Sequence, residues 1–306
     1  MDKKISVVIP NYNGRNLLAK HLPNVVQNTS GCEIIVVDDG SIDDSVSFIK
    51  KRFKEVKLIS LKKNIGFAKA TNMGVKSAKF DLVLLLNSDV SPKSGFLKPL
   101  LKYFDSGKIF AVGLLDQSHE RGKIIPRGRG GAFFKKGFVS HFAAVVERGE
   151  TLWVSAGSGL FDRKKFLDLD GFDPIFAPFY WEDIDLSFRA WQKGYKCFFE
   201  PLSKVDHFHA EGAIKKTRSN FYIKSVSYKN QFLFIWKNIN DYVWTAQHIL
   251  WLPYHFAVAI LRFDWAFFVG FFWALIKAPD LIFTHQLSTV NDQLSAKEVL
   301  ANFAKS

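Results

Sequence analysis

Residues 80–90 read FDLVLLLNSDV, an apolar run that ends on an asparagine, a serine and an aspartate. A short apolar run of this kind is typical of a strand buried in the centre of a sheet. Strands that stop at an ordinary turn more often finish in Gly, Pro or Asn-Gly. The polar end from Asn87 to Asp89 therefore indicates that this strand delivers a carboxylate to a binding site.

Three similar strand-like runs come earlier in the chain, and helix-like stretches separate them. The runs are ISVVIP at 5–10, EIIVVDD at 33–39 and VKLISL at 56–61, and the helix-like stretches cover 15–28, 42–52, 66–78 and 94–104. Strands that alternate with helices form right-handed βαβ units, in which helices cover both faces of a parallel sheet. The predicted fold class is therefore α/β, with a Rossmann-like and mostly parallel sheet.

Polar segments follow these strands. Ligands of such sheets bind beyond the carboxyl ends of the strands, which places NYNG, DDGS, NIGFAKATN and NSDV along one edge. The polar side chains expected at this edge are Asn11, Asn13, Asp38, Asp39, Asn64, Asn72, Ser88 and Asp89. Amides and carboxylates suit a nucleotide base and ribose, and Asp89 suits a hard divalent cation. Any one loop alone is equally well explained as turn chemistry, whereas four together favour a ligand site.

The chain changes character between 105 and 160, where RGKIIPRGRGGAFFKKG is rich in glycine and basic residues. We predict a flexible insertion there. Beyond it, WEDIDLSFRAWQKGYK (181–196) has the start and end signals of a helix. The helix dipole is expected to keep Glu182 and Asp183 ionised, and Asp185 is expected only to cap the helix. VDHFH (205–209) follows, where His207 or His209 could supply a nitrogen ligand to a cation.

The last third of the chain is first basic and then strongly apolar. Residues 211–237 include six basic residues and one acidic residue, whereas 242–261 and 265–276 contain no Asp, Glu, Lys or Arg. Helical spacing puts the polar side chains Asp241, Thr245, His248, His255 and Arg262 on one face, opposite a broad apolar face. We interpret these helices as lying in a membrane interface. An oligomer interface or an ordinary helical subdomain is the alternative.

The bulk composition restricts the partners and the compartment. A net charge of +13 requires an anionic partner such as nucleic acid, anionic lipid or a phosphorylated substrate. Many aromatic residues lie after residue 220 instead of alternating with basic residues on strands, which favours a membrane surface over nucleic acid. Cys32 and Cys197 lie far apart, which fits a reducing compartment. The strand-like residues begin by Ile5, which leaves no room for a signal peptide and predicts a cytoplasmic protein.

Six segments in a fixed order resemble one known family. They are SVVIPNYNG, EIIVVDDGS, NIGFAKATNMG, LLLNSDVSP, the stretch from GSGLFD to WQKGYK, and VDHFH. Together they resemble the family-2 inverting glycosyltransferases with the A-type nucleotide-diphospho-sugar fold, and most of all the rhamnosyltransferase-like branch. The resemblance covers roughly residues 4 to 210 and leaves most of the last third unassigned.

The resemblance implies roles for individual residues. The implied nucleotide-sugar pocket consists of Pro10, Asn11, Tyr12, Asn13, Asp39, Asn64, Gly66, Asn87, Ser88 and Asp89, with Asp39 reading the base. Mg²⁺ or Mn²⁺ is implied as a cofactor, held by Asp89 and by His207, whose V-x-H context matches better than that of His209. Asn87 stands where the family's Asp-x-Asp motif has its first carboxylate, so metal dependence is expected to be less strict.

The same resemblance places the chemistry on the acidic helix. Asp183 falls on the family's catalytic base, and a carboxylate that is positioned opposite a departing diphosphate can take the proton of an attacking hydroxyl. Trp181, Glu182 and Gly157 are implied to lie near the sugar or the acceptor. The implied reaction moves a sugar from a nucleotide-diphosphate donor, dTDP-rhamnose or a UDP-sugar, onto a glycan or lipid-linked acceptor in cell-surface polysaccharide synthesis.

The predicted organisation is a catalytic domain over 1–214, with a nucleotide-binding half at 1–104 and an acceptor-binding half at 105–214. A helical, membrane-associating region at 215–306 follows. The protein is expected at the inner face of the plasma membrane, and an oligomer is compatible with the sequence. Two alternatives stay open, a sugar nucleotidyltransferase on a related fold and a non-catalytic membrane-binding protein. The first would normally have a glycine-rich loop with Arg and Lys after the first strand, where this chain has NYNGRN.

Overall fold

A ten-stranded sheet forms the centre of the protein in a computed structural model that describes residues 3–120, 122–208, 218–288 and 293–304. The strands are β1 (Ile5–Asn11), β2 (Glu33–Asp38), β3 (Lys57–Ser60), β4 (Leu82–Leu86), β5 (Val90–Pro92), β6 (Ile109–Glu120), β7 (Lys123–Arg127), β8 (Gly130–Lys135), β9 (Phe138–Ala143), β10 (Gly149–Glu150), β11 (Ser158–Asp162) and β12 (Lys196–His207). The sheet order is β10-β12-β6-β11-β4-β1-β2-β3, with β5 beside β12 and β7 beside β6. Strands β8 and β9 form a separate pair.

The first half of the sheet is parallel. Val8 of β1 pairs with Ile35 on one side and with Leu85 on the other, and β3 continues the parallel order beyond β2. Strand β11 then runs antiparallel between β4 and β6. The predicted α/β fold with a mostly parallel sheet is confirmed. Because β1, β2 and β4 end at the same edge, the polar segments that follow them lie side by side.

Helices cover both faces of this sheet. They are α1 (Arg15–Asn28), α2 (Ser45–Arg52), α3 (Phe67–Ser77), α4 (Lys98–Leu101), α5 (Arg163–Asp168), α6 (Glu182–Gln192), α7 (Asn220–Asn238), α8 (Tyr242–Leu261), α9 (Trp265–Ser288) and α10 (Ala296–Ala301). Successive strand residues enter opposite cores: Val8 belongs to the same core as Val75 of α3, and Val7 to the same core as Leu18 of α1. Both faces are buried, which explains why the strands read as continuous apolar runs.

The predicted flexible insertion at 105–160 is wrong, because most of this segment forms strands. Strand β6 is 12 residues long and pairs with β11, β12 and β7. The glycine-rich and basic part forms β7 and then the β8–β9 hairpin. Lys136 and Gly137 connect that hairpin with φ values of 51° and 75°, the combination that a tight two-residue hairpin turn requires. The glycines therefore mark turns and close approaches, and the apolar residues between them build the sheet.

Helix α7 packs on the loop that precedes α6. The side-chain amide of Asn230, which is fully buried, donates to the carbonyl oxygens of Phe176, Phe179 and Tyr180 at 2.7, 2.9 and 2.8 Å. The two N–H groups of a single side chain are therefore shared among three backbone carbonyl groups, in a loop that contains no regular structure of its own beyond one short turn. The position of α6 depends on this contact.

We expect Asn230→Ala to destabilise the protein by about 2 kcal/mol, because buried carbonyl groups would lose their donor. Denaturation by urea measures the change in the free energy of unfolding. The matched control is Asn220→Ala, at an exposed position on the first turn of the same helix. Equal stability changes in the two variants would contradict the role given to Asn230.

The polar stripe predicted for the last third does not face water as a whole. His248 of α8 is buried, and His255 contacts the β8–β9 turn through the carbonyl oxygen of Lys136 at 2.7 Å. Gly137 allows this approach, since a Cβ there would lie 2.7 Å from the Cα of His248. Much of the opposite, apolar side of α8 is exposed. Among the helices in the described ranges, none combines the length and apolarity that a membrane span needs.

Candidate active site

The loops after β1 and β2 are joined by side-chain hydrogen bonds. The Asp38 carboxylate accepts from the Asn11 side-chain amide at 2.9 Å and from the Ser41 hydroxyl at 2.7 Å. The side-chain oxygen of Asn13 accepts the backbone N–H of Ile42 at 2.8 Å. These contacts give Asp38 and Asn13 structural roles. The side-chain oxygen of Asn11 is buried and has no hydrogen-bond partner among the described residues, so it is available to a ligand.

Asp39 holds the loop before α3. Its two carboxylate oxygens accept the backbone N–H groups of Ile65 at 2.7 Å and Gly66 at 2.9 Å. Gly66 has a φ of 91°, a conformation that other residues rarely adopt. Asp39 thereby shapes the start of α3 and places Asn64 at the exposed edge of the site. Its reading of the base stays a prediction.

Three other residues of the predicted edge lie in different environments. Tyr12 is exposed and Pro10 is half-buried at the end of β1, both at the carboxyl edge of the sheet. Asn72, in contrast, exchanges two hydrogen bonds with the backbone of Phe172, at 2.8 and 3.0 Å. Asn72 therefore joins α3 to the loop after α5, and its amide is occupied by this contact.

A buried chain of four hydrogen-bonded side chains lies beyond β4. Nε2 of His207 is 3.2 Å from an oxygen of Asp89, and Nδ1 of His207 is 2.5 Å from an oxygen of Asp116. The hydroxyl of Ser118 donates to Asp116 at 2.8 Å. The structure thus brings together the two predicted metal ligands. His209 lies outside the described residues.

The electrostatics of His207 depend on its two carboxylates. Burial by itself would lower the pKa of His207, but hydrogen bonds and charge from Asp116 and Asp89 raise it to about 9. Without a cation, the imidazole therefore carries a proton between two carboxylates at neutral pH. A divalent cation would compete with that proton for Nε2.

Asp89 and His207 fit a divalent cation as a pair. No group of three or more His, Cys, Asp or Glu side chains in the described ranges is arranged to hold a metal ion. Two protein ligands suffice for Mg²⁺ or Mn²⁺ when substrate phosphates and water complete the shell. The 3.2 Å between the two ligand atoms matches the edge of about 3 Å of an octahedron with bonds of about 2.1 Å. Asp116 holds the imidazole of His207 in place through Nδ1, an arrangement found in many metal sites.

A short backbone segment connects this pair to the acidic helix. The backbone N–H of Asn87 donates to the Gly157 carbonyl at 3.0 Å, and a Cβ at Gly157 would lie 2.5 Å from the Asn87 side-chain nitrogen. The backbone N–H of Ala156, the residue before Gly157, donates to the Asp183 carboxylate at 3.4 Å. Ser88 is half-buried beside Asn87. Gly157 therefore lets the Asn87–Asp89 segment approach the start of α6.

Two strained residues introduce α6. Tyr180 and Trp181 have φ values of 71° and 75°, in the left-handed region where bulky residues are rarely found. Consecutive residues of this kind persist only where the surroundings enforce them, and they cluster at functional sites. Here Asn230 holds the Tyr180 carbonyl, and Trp181 is 3% exposed. The chain changes direction at these two residues, and Glu182 and Asp183 then form the first turn of α6.

Burial, and not the helix dipole, has the largest effect on the pKa values of the two carboxyl groups at the start of α6. Burial and the charge of Asp183 raise the pKa of Glu182 to about 8. Burial raises the pKa of Asp183 to about 6, although the backbone N–H groups of Ile184 and Ala156 oppose the shift. The expectation that both are held ionised is therefore wrong for Glu182. Asp183 is half-buried, and its raised pKa makes it a stronger base than an exposed aspartate, as a general base requires.

Asp185 does more than cap the helix. It is fully buried, with Arg189 at 2.8 Å and Lys237 of α7 at 3.0 Å, and Asn238 donates to it at 3.0 Å. Burial would raise the pKa of this carboxyl, but Arg189 and Lys237 hold it below its usual range. Asp185 therefore anchors α6 to α7 as a buried anion.

Asp116, Asn230 and the cavity beside Trp181 are not predicted by the sequence motifs. The cavity measures about 300 Å³ and is lined by Ser140, His141, Trp181, Lys224, Ser227, Tyr228 and Gln231. A weak signal existed for Asp116, because Asp116 and Ser118 interrupt an apolar strand at alternate positions. For Asn230 and for the cavity no local signal exists, since both depend on α7.

Comparison with known proteins assigns the family. The family model described as "Glycosyl transferase family 2" matches residues 6–167, just over half of the chain. The chain belongs to glycosyl transferase family 2. Of its curated relatives, the pre-mycofactocin glycosyltransferase of Mycobacterium tuberculosis is 28% identical over 210 residues, 68% of this chain and 43% of the relative. An uncharacterized glycosyltransferase of Rickettsia conorii is 35% identical over 136 residues, 43% of this chain and 22% of the relative.

Solved structures share the fold of this family-2 chain. GalNAc-T7 with UDP, GalNAc and Mn²⁺ superposes with a TM-score of 0.64 at 19% identity, covering 78% of this chain and 49% of that one. A mannosyltransferase of Pyrobaculum calidifontis with GDP-Man and Mn²⁺ has a TM-score of 0.55 at 14% identity, covering 93% and 87%. The chain spans less than half the length of the two curated relatives described above.

Proposed function

We propose that this protein transfers a sugar from a nucleotide-diphosphate donor onto an acceptor hydroxyl, with inversion, using Asp183 as the general base. The observation that carries the proposal is the link between the half-buried Asp183 carboxylate at the start of α6 and the polar end of β4, where Asp89 contacts His207. The segment 156–157 connects the two groups through the backbone. Family membership supports the same reaction class.

The proposed roles follow from the geometry. The donor's nucleotide would lie at the carboxyl edge of β1, β2 and β4, where Asn11 offers a free buried oxygen. Asp183 would accept the hydroxyl proton as the acceptor oxygen bonds to the anomeric carbon. The bond from that carbon to the diphosphate breaks on the opposite side, which inverts the anomeric centre. The nucleoside diphosphate then leaves with the bonding electrons.

Asp89 and His207 would hold Mg²⁺ or Mn²⁺ in this proposal. The cation would neutralise the charge that develops on the departing diphosphate. Asn87 would contribute an amide oxygen at most, so we propose a site with one charged ligand. Two structural neighbours with Mn²⁺ in their crystals support a divalent cation in this fold.

The cavity beside Trp181 is the acceptor site in this proposal. Trp181 directly precedes Glu182 and Asp183, and the aromatic, amide and hydroxyl side chains around the cavity are the types that bind saccharides. A glycan or a lipid-linked saccharide would place one hydroxyl near Asp183. The sugar transferred, with dTDP-rhamnose or a UDP-sugar as the donor, stays a prediction from the family resemblance.

A donor screen tests the proposal. The protein would be incubated with dTDP-, UDP- and GDP-sugars, with and without Mn²⁺, while thermal stabilisation and release of nucleoside diphosphate are measured. We expect one nucleotide class to stabilise the protein and to be hydrolysed slowly, with Mn²⁺ increasing both effects. A response only to a nucleoside triphosphate with a sugar 1-phosphate would support a nucleotidyltransferase instead. No response to any nucleotide would favour a non-catalytic protein.

A further inference from the structure

The outer sides of α8 and α9 carry many exposed apolar side chains. More than half of the large exposed hydrophobic side chains in the described part of the chain lie between Tyr242 and Ile276. Leu250, Leu261 and Phe263 are 77%, 79% and 78% exposed. We call the exposed hydrophobic side chains between Ile249 and Ile276 the α8–α9 surface. Soluble proteins rarely expose so many large apolar side chains in one region without a partner.

The two histidines of α8 contact the β8–β9 turn, whereas Thr245 and Gln247 near the start of the helix are exposed. Nδ1 of His248 donates to the Gly137 carbonyl at 2.6 Å, and its Nε2 accepts from the indole N–H of Trp236 at 3.0 Å. His255 contacts the Lys136 carbonyl. A helix on a water-exposed surface has the reverse arrangement, with its polar side outward. The hydrogen bonds fix this orientation, so the apolar side of α8 cannot turn inward without breaking them.

The margin of the α8–α9 surface is basic and aromatic. Nζ of Lys136 lies 4.3 Å from the ring centre of Tyr254 and 5.4 Å from that of Trp251. Arg262 is exposed nearby, and Lys277 is exposed but is paired with Asp280 at 3.0 Å. The carboxylates of this region are compensated, since Asp264 contacts Lys224 at 2.8 Å and Asp280 contacts Lys277. Tryptophan, tyrosine and lysine around an apolar surface are typical of segments that lie in the headgroup region of a bilayer.

We propose that the α8–α9 surface binds an anionic lipid bilayer, with both helices lying in the interface. The basic margin is complementary to anionic headgroups, such as those of the leaflet that faces the cytoplasm. A second copy of the chain fits less well, because a two-fold contact would bring the same basic margins together. This inference goes beyond the proposed glycosyl transfer and does not depend on it. Lys224 and Tyr228 line the cavity beside Trp181, and both side chains contact Asp264, which lies between α8 and α9. A bound bilayer would therefore lie near the proposed acceptor site.

Vesicle flotation tests the proposal on the full chain. Vesicles of phosphatidylcholine with phosphatidylglycerol are expected to carry the protein to the top of a density gradient, and vesicles of phosphatidylcholine alone are expected to carry less. The triple variant Leu250→Asp, Leu261→Asp, Phe263→Asp should reduce the floating fraction by about tenfold or more. All three positions are exposed, so the fold and the thermal midpoint should be retained.

The matched control places the same charges at exposed apolar positions outside the α8–α9 surface. Ile124, Val145 and Leu202 are 55%, 64% and 61% exposed, and their triple replacement by Asp should leave flotation unchanged. Absence of flotation, or equal loss in both triple variants, would overturn the proposal. A lipid-free dimer that the first triple variant converts to a monomer, without vesicle binding by the wild-type protein, would assign the surface to a second copy. Because flotation needs no donor, its failure leaves the proposed reaction untouched.

Discussion

Asp183→Asn is expected to reduce sugar transfer by about a thousandfold, because an amide cannot accept the proton of the acceptor hydroxyl. Donor binding should be retained. Within the described residues, the Asp183 carboxylate accepts hydrogen bonds only from the backbone N–H groups of Ile184 and Ala156. Initial rates of transfer and thermal stabilisation by the nucleotide measure the two effects separately. Near-normal turnover in this variant would remove Asp183 as the base.

The neighbouring carboxyl is the control for this prediction. Burial and the charge of Asp183 raise the pKa of Glu182 to about 8, so Glu182 is mostly protonated and neutral at neutral pH. Glu182→Gln keeps that neutral shape and should retain most of the activity. If Glu182→Gln were inactive and Asp183→Asn active, the two roles would have to be exchanged.

The pH dependence of the wild-type enzyme follows from the same carboxylates. Asp183 must be ionised to accept a proton, and burial raises its pKa to about 6. The rate should therefore fall as the pH is lowered through about 6, above the range where an exposed aspartate would titrate. This acidic limb should be missing from the residual activity of Asp183→Asn.

Asp89→Asn is expected to lower turnover by about a hundredfold or more, because it removes the charged ligand of the proposed cation site. The neutral amide keeps the size of the side chain beside His207, so the fold should be retained. Mn²⁺ should no longer increase the thermal stabilisation given by a nucleoside diphosphate. If Asp89→Asn responded to Mn²⁺ like the wild-type protein, the cation would have to bind elsewhere.

Variants of two further carboxylates test whether a residue that positions His207 can be distinguished from a residue that binds the cation. Asp116→Asn should raise the Mn²⁺ concentration needed for half-maximal activity by about tenfold or more, and leave turnover at saturating Mn²⁺ largely intact, because Asp116 acts through His207. Asp206→Asn is the control, since Asp206 pairs with Lys93 and His119 on the other side of β12. It should leave the Mn²⁺ requirement unchanged.

Local patterns in the sequence were sufficient for the parallel half of the fold. The β1, β2 and β4 runs are apolar along their whole length because both faces of the sheet are covered, and the polar residues that follow them mark the edge where strands end. The position of Asp89 at the end of β4 follows directly from this rule. The family resemblance added Asp183, which no periodicity identifies.

Contacts between distant segments determined the rest. Asp116 reaches His207 across 91 residues of sequence, and the ionisation of Glu182 and Asp183 depends on burial by segments that neither residue adjoins in the chain. The glycine-rich stretch after residue 120 was misjudged because β7 pairs with β6, and the β8–β9 hairpin is held through its turn by the histidines of α8. Local composition does not record such pairing.

The sequence by itself determined the alternation of strands and helices, the polar ends of the strands and the apolar character of α8, since each depends on residues close together in the chain. Only the tertiary structure decided which side of α8 faces outward. Its histidines bind the backbone of the β8–β9 turn more than a hundred residues earlier, and these hydrogen bonds fix the apolar side towards the solvent. Asn230 likewise holds the loop before Asp183 from a helix beyond the family match.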